Sequence, residues 1–142
     1  LSQLNRFVEA QKPIYPRALA ELQDGAKRSH WMWFIFPQIA GLGRSETARF
    51  YAIQDADEAE TYLAHPVLGP RLLECCAALM PWAGRRTIEN ILGPVDAMKL
   101  RSSMTLFAQV AENPAPFEMI LSIFFGGHPD EATLALLRRE QA

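Results

Sequence analysis

Proline and glycine cut this chain into short segments. Pro13, Pro16, Pro37, Gly25, Gly93 and the pair Gly126–Gly127 interrupt it, and between them apolar residues recur at three- and four-residue steps. Proline breaks the interior of a helix or a central strand, and glycine weakens both. A chain interrupted this often must build its core from many small pieces. The pieces read as helices. "YPRALAELQDG" has Pro16 near its start and Gly25 just past its end, the usual helical asymmetry. Ser45 and Asp55 stand where N-caps belong, Asp55 with Glu58 three residues on. Leu4, Phe7, Val8 and then Gln11 share one face; so do Leu68, Leu72, Cys75, Cys76 and Leu79. Leu100, Met104, Phe107 and Val110 or Ala111 form the stripe of the longest segment. "DEATLALLRREQ" opens on acids and closes on arginines, matching the helix dipole. No alternating run and no Asn-Gly turn argues for a strand. The expected fold is all-α, a single compact domain over residues 1–142 with about eight short helices.

The totals narrow the classes of function. Apolar residues make up 49% and charged residues 21% of 142, which suits a folded domain and not a disordered one. Net charge is −2, so the basic excess of a nucleic-acid binder is missing and such a partner is not expected. Cys75 and Cys76 are adjacent and face the core by spacing; a bridge between neighbours would be strained. Free thiols, no apolar run long enough to span a membrane and no apolar leader make the cytoplasm the expected location. No cofactor motif is visible. His30, His65 and His128 are far apart and lack metal-ligand spacing, so no metal is expected.

One stretch stands out: "KRSHWMWFIFPQIAGLGRSE", residues 27–46. Trp31 to Phe36 is apolar throughout, so period cannot separate helix from strand, and Pro37 ends it either way. Phe34 to Phe36 read as packing. Lys27, His30, Trp31 and Trp33 read as the wall of a site, with cations beside rings. Gly41, Gly43, Arg44 and Ser45 form a glycine-bearing turn entering a helix, an arrangement that exposes N–H groups to anions, or an ordinary turn. A second stretch, "DAMKLRSSMTLF", puts Asp96, Lys99 and Ser103 on one helical face, bordered by Arg101 and Ser102. These residues could clamp an anion. Lys99 could also activate a serine as a nucleophile, or simply pair with Asp96 on a solvated face. "FFGGHPDEAT" is a turn in which Asp130 or Pro129 starts the last helix.

The segments "RFVEAQ", "ALAELQDGAKRSHWMWFIFPQIAGLGRS", "YAIQDADEAETYLAHPVLGPRL", "KLRSSMTLF" and "GGHPDEATLALL" together resemble the domain of unknown function 1810 family, bacterial and fungal, often mislabelled calpastatin. The resemblance covers nearly the whole chain and implies a helical single domain without an established activity. A shorter likeness, Phe107 with "AENPAPFEMIL" and the glycine turn after it, is similar to the C-terminal part of NADAR-type glycosidases. That likeness implies action on N-glycosidic bonds of ribosyl phosphate compounds.

Two functions are therefore expected in competition. In the first, a small anionic, ring-bearing ligand such as a nucleotide is bound. Lys27, Arg44, Arg101, Ser102, Ser103 and the Gly41–Gly43 turn hold its anion, Trp31 and Trp33 flank its ring, and His30, Asp96 and Lys99 are the candidate catalytic residues. In the second, the aromatic run and the "LMPWAG" loop around Trp82 form a patch that docks a protein.

Overall fold

A computed structural model describes residues 3–140. The segments form ten α-helices: α1 (Asn5–Gln11), α2 (Tyr15–Gln23), α3 (Met32–Ile35), α4 (Glu46–Phe50), α5 (Ala56–Ala64), α6 (Leu68–Leu79), α7 (Ile88–Leu92), α8 (Pro94–Val110), α9 (Ala115–Phe125) and α10 (Glu131–Glu140). A 3-10 turn, Met80–Trp82, follows α6. The count exceeds the expected eight because single-turn pieces such as α3 are too short for a period to register. Among the described residues there is no strand, only one isolated bridge between Ile39 and Ile53. No helix among them is long and apolar enough to cross a membrane.

The caps read from the sequence are present. Ser45 accepts from the Ala48 N–H at 3.1 Å, and Asp55 from the Glu58 N–H at 2.8 Å. Glu58 reaches back one residue further than a capping box requires, accepting from the Gln54 N–H at 2.9 Å. Asp130 caps α10 through the Thr133 N–H at 3.0 Å.

The longest helix, α8, is the hub; α5, α7, α9 and α10 pack on it. Its middle is buried all round. Ser102, Ser103 and Thr105 are as enclosed as Leu100, Met104 and Phe107. Their hydroxyls are absorbed mostly by the helix itself and by its neighbour. Ser102 Oγ donates to the Met98 carbonyl and to Asp130, and Thr105 Oγ1 donates to the Arg101 carbonyl and accepts from the Asp130 N–H. Arg101 holds the same connection by donating to the carbonyls of His128 and Pro129. The segments 101–105 and 128–133 thus meet, as a structural joint between α8 and the start of α10.

A ladder of rings runs through the core. Phe117, Phe107, Tyr62, Phe7 and Tyr51 follow one another at centroid distances of 5.8, 5.4, 5.3 and 5.8 Å. Cys75 and Cys76 are buried as the spacing predicted. Burial pushes the Cys75 thiol up to about 12 and raises Cys76 as well, so both are held as inert thiols.

Candidate functional site

The aromatic stretch is positioned by two buried polar side chains, Glu21 and Gln11, of which the helical spacing had placed only Gln11 on an apolar face. An isolated turn such as α3 has too few hydrogen bonds to stand alone. On its N-terminal side the buried Glu21 of α2 accepts from the Arg28 N–H at 2.8 Å and the Ser29 N–H at 3.1 Å. It also accepts from the Ser29 hydroxyl at 2.7 Å and the Trp31 indole at 2.9 Å. Burial alone would raise the carboxyl's pKa. The donors led by the Arg28 N–H outweigh burial and bring it down to about 2. On the C-terminal side the buried Gln11 of α1 donates to the Phe34 carbonyl at 2.7 Å and to the Tyr62 hydroxyl at 3.2 Å. The chain beyond Pro37 is then fixed by reciprocal bonds: Ala40 N–H to the Ile53 carbonyl and Ile53 N–H to the Gln38 carbonyl, both 2.8 Å.

Two of the charged segments meet beside this turn. The Lys27 ammonium lies 2.8 Å from Asp96, and Lys99 lies 3.7 Å from the other carboxylate oxygen. Each ammonium also stands over an indole: Lys27 at 5.0 Å from the Trp31 ring, Lys99 at 4.9 Å from the Trp33 ring. The Lys27 N–H is anchored to the Ile91 carbonyl at 2.8 Å, which fixes the loop against α7. Two cations share one anion, so the cluster carries one surplus positive charge.

The remaining candidates lie differently. Trp31 is fully buried, with its indole N–H on Glu21, so it is the floor under Lys27 and offers no open face. Ser103 is likewise fully buried and Ser102 is bonded to Asp130, so neither hydroxyl faces the lysines from a solvated surface. Arg101 is spent on the α10 joint. His30 is exposed. Gly41, Gly43, Arg44 and Ser45 form an exposed loop with its own packing reasons. Gly41 has φ +107°, which favours glycine, and a Cβ on Gly43 would meet that of Ala48 at 2.4 Å. Trp82 is half-buried with its indole N–H on the Leu22 carbonyl, and Gly25 packs so closely on the ring that a Cβ would meet it at 2.6 Å. Among the described residues no group of three or more His, Cys, Asp or Glu could hold a metal.

Trp33 also opens onto a feature the sequence reading missed. With Phe34, Phe50, Tyr51, Glu46 and Thr47 it lines a solvent-open groove of ≈ 520 Å³. Phe50 is 59% exposed, yet its base is rigid. Its ring stands edge-on to Tyr51 at 4.8 Å, and Tyr51 in turn touches Phe34 at 5.3 Å and Phe7 at 5.8 Å. Arg6, almost buried, donates to the Phe50 carbonyl at 2.7 Å and the Ala52 carbonyl at 2.8 Å, and pairs with Glu58 at 3.2 Å. The groove is the outer end of the core's ring ladder. A signal existed in the sequence: the pair Phe50–Tyr51 follows the polar run "SETAR", where no apolar stripe explains two adjacent rings.

The architecture defines an all-helical single domain with an aromatic groove and a paired-lysine cluster that meet at Trp33. The chain belongs to the family described as "Protein of unknown function (DUF1810)", which matches residues 1–137. It is similar to the crystal structure of the conserved hypothetical protein Rv1873 from Mycobacterium tuberculosis, at 48% identity over 95% of this chain and 96% of that one, with a TM-score of 0.92. No curated protein matches the chain.

Proposed function

We propose that this domain is a protein-interaction module whose docking surface is the groove between α3 and α4. The observation that carries this reading is Phe50. A phenylalanine ring held in water costs solvation free energy, and here it is held there by a packed, hydrogen-bonded base and not by a mobile loop. Rigid aromatic anchors beside a groove are what protein interfaces use for their strongest contacts. The test is selection from an unbiased library of displayed peptides on the intact chain, repeated on Phe50→Ala. The expected result is a set of peptides retained by the parent and lost by the variant. Sequences retained equally by both would remove the groove from the reading.

A second reading is favoured by the lysine cluster alone: a small anionic, ring-bearing ligand at Lys99 and Trp33, with hydrolysis of an N-glycosidic bond as its furthest extension. The surplus charge supports it. Asp96 weakens it, because the closer ammonium, Lys27, is already neutralised. Thermal-shift titration with nucleotides and sugar phosphates separates the two readings, since a bound ligand raises the melting temperature by mass action. A shift that disappears in Lys99→Ala and persists in Phe50→Ala favours the ligand.

A further inference from the structure

We infer that the groove takes a proline-rich segment in extended polyproline conformation, with a basic residue at one end; this rests on the docking role proposed above. Three features of the groove point there. The first is its lining. Trp33, Phe50 and Tyr51 give a wall of rings backed by the buried Phe34, set at steep angles to one another, with Phe50 and Tyr51 at 86° and Phe34 and Tyr51 at 55°. Angled rings make shallow slots that receive compact pyrrolidine rings, the mode by which aromatic-lined grooves read polyproline helices.

The second is its hydrogen-bonding capacity. The indole N–H of Trp33 and the hydroxyl of Tyr51 make no hydrogen bond within the described residues. Ser103 Oγ is the only buried side-chain nitrogen or oxygen without a partner among them, so both donors keep contact with solvent. An indole donates only. A polyproline helix has no internal hydrogen bonds and presents solvated carbonyls, and its prolines bring no N–H to be left unpaired. An ordinary extended segment would bring unpaired peptide N–H groups into a wall of rings that offers them few acceptors.

The third is charge. Glu46 is the one charged residue lining the groove, and its carboxylate has no ion-pair partner among the described residues. It suits an arginine or lysine flanking the prolines. Lys99, over the Trp33 ring, would repel a cation at the opposite end and so fix the direction of the segment.

The test uses the intact chain and three synthetic peptides: one proline-rich and ending in arginine, one with alanine in place of every proline, and one proline-rich but ending in glutamate. Binding is read by tryptophan fluorescence and by the Trp33 indole resonance. The proline peptide is expected to bind and to shift that resonance. Phe50→Ala, a surface truncation, should weaken it about tenfold or more, and Tyr51→Phe, which removes only the hydroxyl, by about threefold. Glu46→Gln should abolish the preference for arginine over glutamate at the flank. Equal or tighter binding of the alanine peptide overturns the polyproline inference and leaves the docking surface standing. So does a failure of the proline peptide where displayed peptides still bind in a Phe50-dependent way. If no peptide of any kind binds through Phe50, both readings fall together.

Discussion

Glu21 and Asp96 both hold the N-terminal side of the aromatic stretch, one through residues 28–31 and the other through Lys27, and each is a carboxylate surrounded by donors. Glu21 is enclosed and satisfied by four hydrogen bonds from neutral groups, with no ion-pair partner among the described residues. Asp96 is partly exposed and satisfied by two ammoniums. The difference separates a fastener from a surface that can be re-partnered. Every donor to Glu21 comes from residues 28–31, so the charge folds the chain back on itself. The donors to Asp96 come from a loop and from its own helix; Lys27 is nearly enclosed, while Lys99 stays part-exposed over Trp33, which lines the open groove.

The largest expected effect tests the fastener. Glu21→Gln keeps the shape but removes the charge: the amide oxygen can keep the three N–H donors on Oε1, while the NH2 meets the Ser29 hydroxyl, which must turn from donor to acceptor. Losing charge-assisted bonds at a buried site costs about 3 kcal/mol. Chemical denaturation should show that loss, with Trp31 fluorescence reporting release of the 28–31 turn. A loss under about 1 kcal/mol would show that the turn is held by ring packing alone.

The second prediction sharpens the first by its pH dependence. Unfolded, Glu21 titrates near 4.5; folded, at about 2. The folded state therefore binds fewer protons between those values. The stability that Glu21 contributes is complete above about pH 4.5 and is lost as pH falls toward 2. The gap between parent and Glu21→Gln should narrow over that window by about 2 kcal/mol, allowing for partial solvent screening. A gap unchanged from pH 6 to about pH 3 would mean that the carboxylate's charge is not what the donors hold.

How much of this was legible beforehand depends on period. The helices α2, α5, α6, α8 and α10 carry enough turns for an apolar stripe or a cap to show, and Ser45 and Asp55 cap as their type predicts. The run Trp31–Phe36 has no polar residue to set a phase, so its single turn could not be read. Glu21 was visible in principle: it shares the inward face of α2 with Ala18 and Leu22, and a carboxylate there needs partners. Gln11 gives the same signal after Leu4 and Phe7. The meeting of Lys27 with Asp96 was not legible, because it joins positions far apart through the packing of α7 on α8. The groove was hidden for a different reason. Its wall is made by α3 and α4, two helices of four and five residues; the end of α4 is held from α1 by Arg6, and it meets α3 through the Phe34–Tyr51 ring contact.

The third prediction moves to the other carboxylate. Lys27→Met removes the closer and less exposed partner of Asp96 while keeping a side chain to cover Trp31. Asp96 can recruit water and retains Lys99, so the cost should be about 1 kcal/mol, well below that of Glu21→Gln. Part of it is the lost cation–π contact. Salt should reduce the parent's advantage, because a partly exposed pair is screened. An effect as large as that at Glu21 would place Asp96 among the fasteners and end the distinction between the two carboxylates.

The smallest effect is the most informative about function. Lys99 is more distant from Asp96, at 3.7 Å, and its side chain is 24% exposed. An i,i+3 pair of this kind contributes a few tenths of a kcal/mol, and the contact with Trp33 adds about 0.5. Lys99→Ala should therefore leave the melting temperature nearly unchanged. A lysine that does so little for stability, yet is held over the ring that joins the charge cluster to the groove, is free to act on whatever occupies that groove. Its truncation should change partner binding more than folding, and in a direction that depends on the partner's charge. Loss of affinity for an anion implicates the cluster itself. Gain of affinity for a cationic peptide, by relief of repulsion, implicates the groove. A destabilisation of about 2 kcal/mol or more would instead bind Lys99 into the fold and remove it from either role.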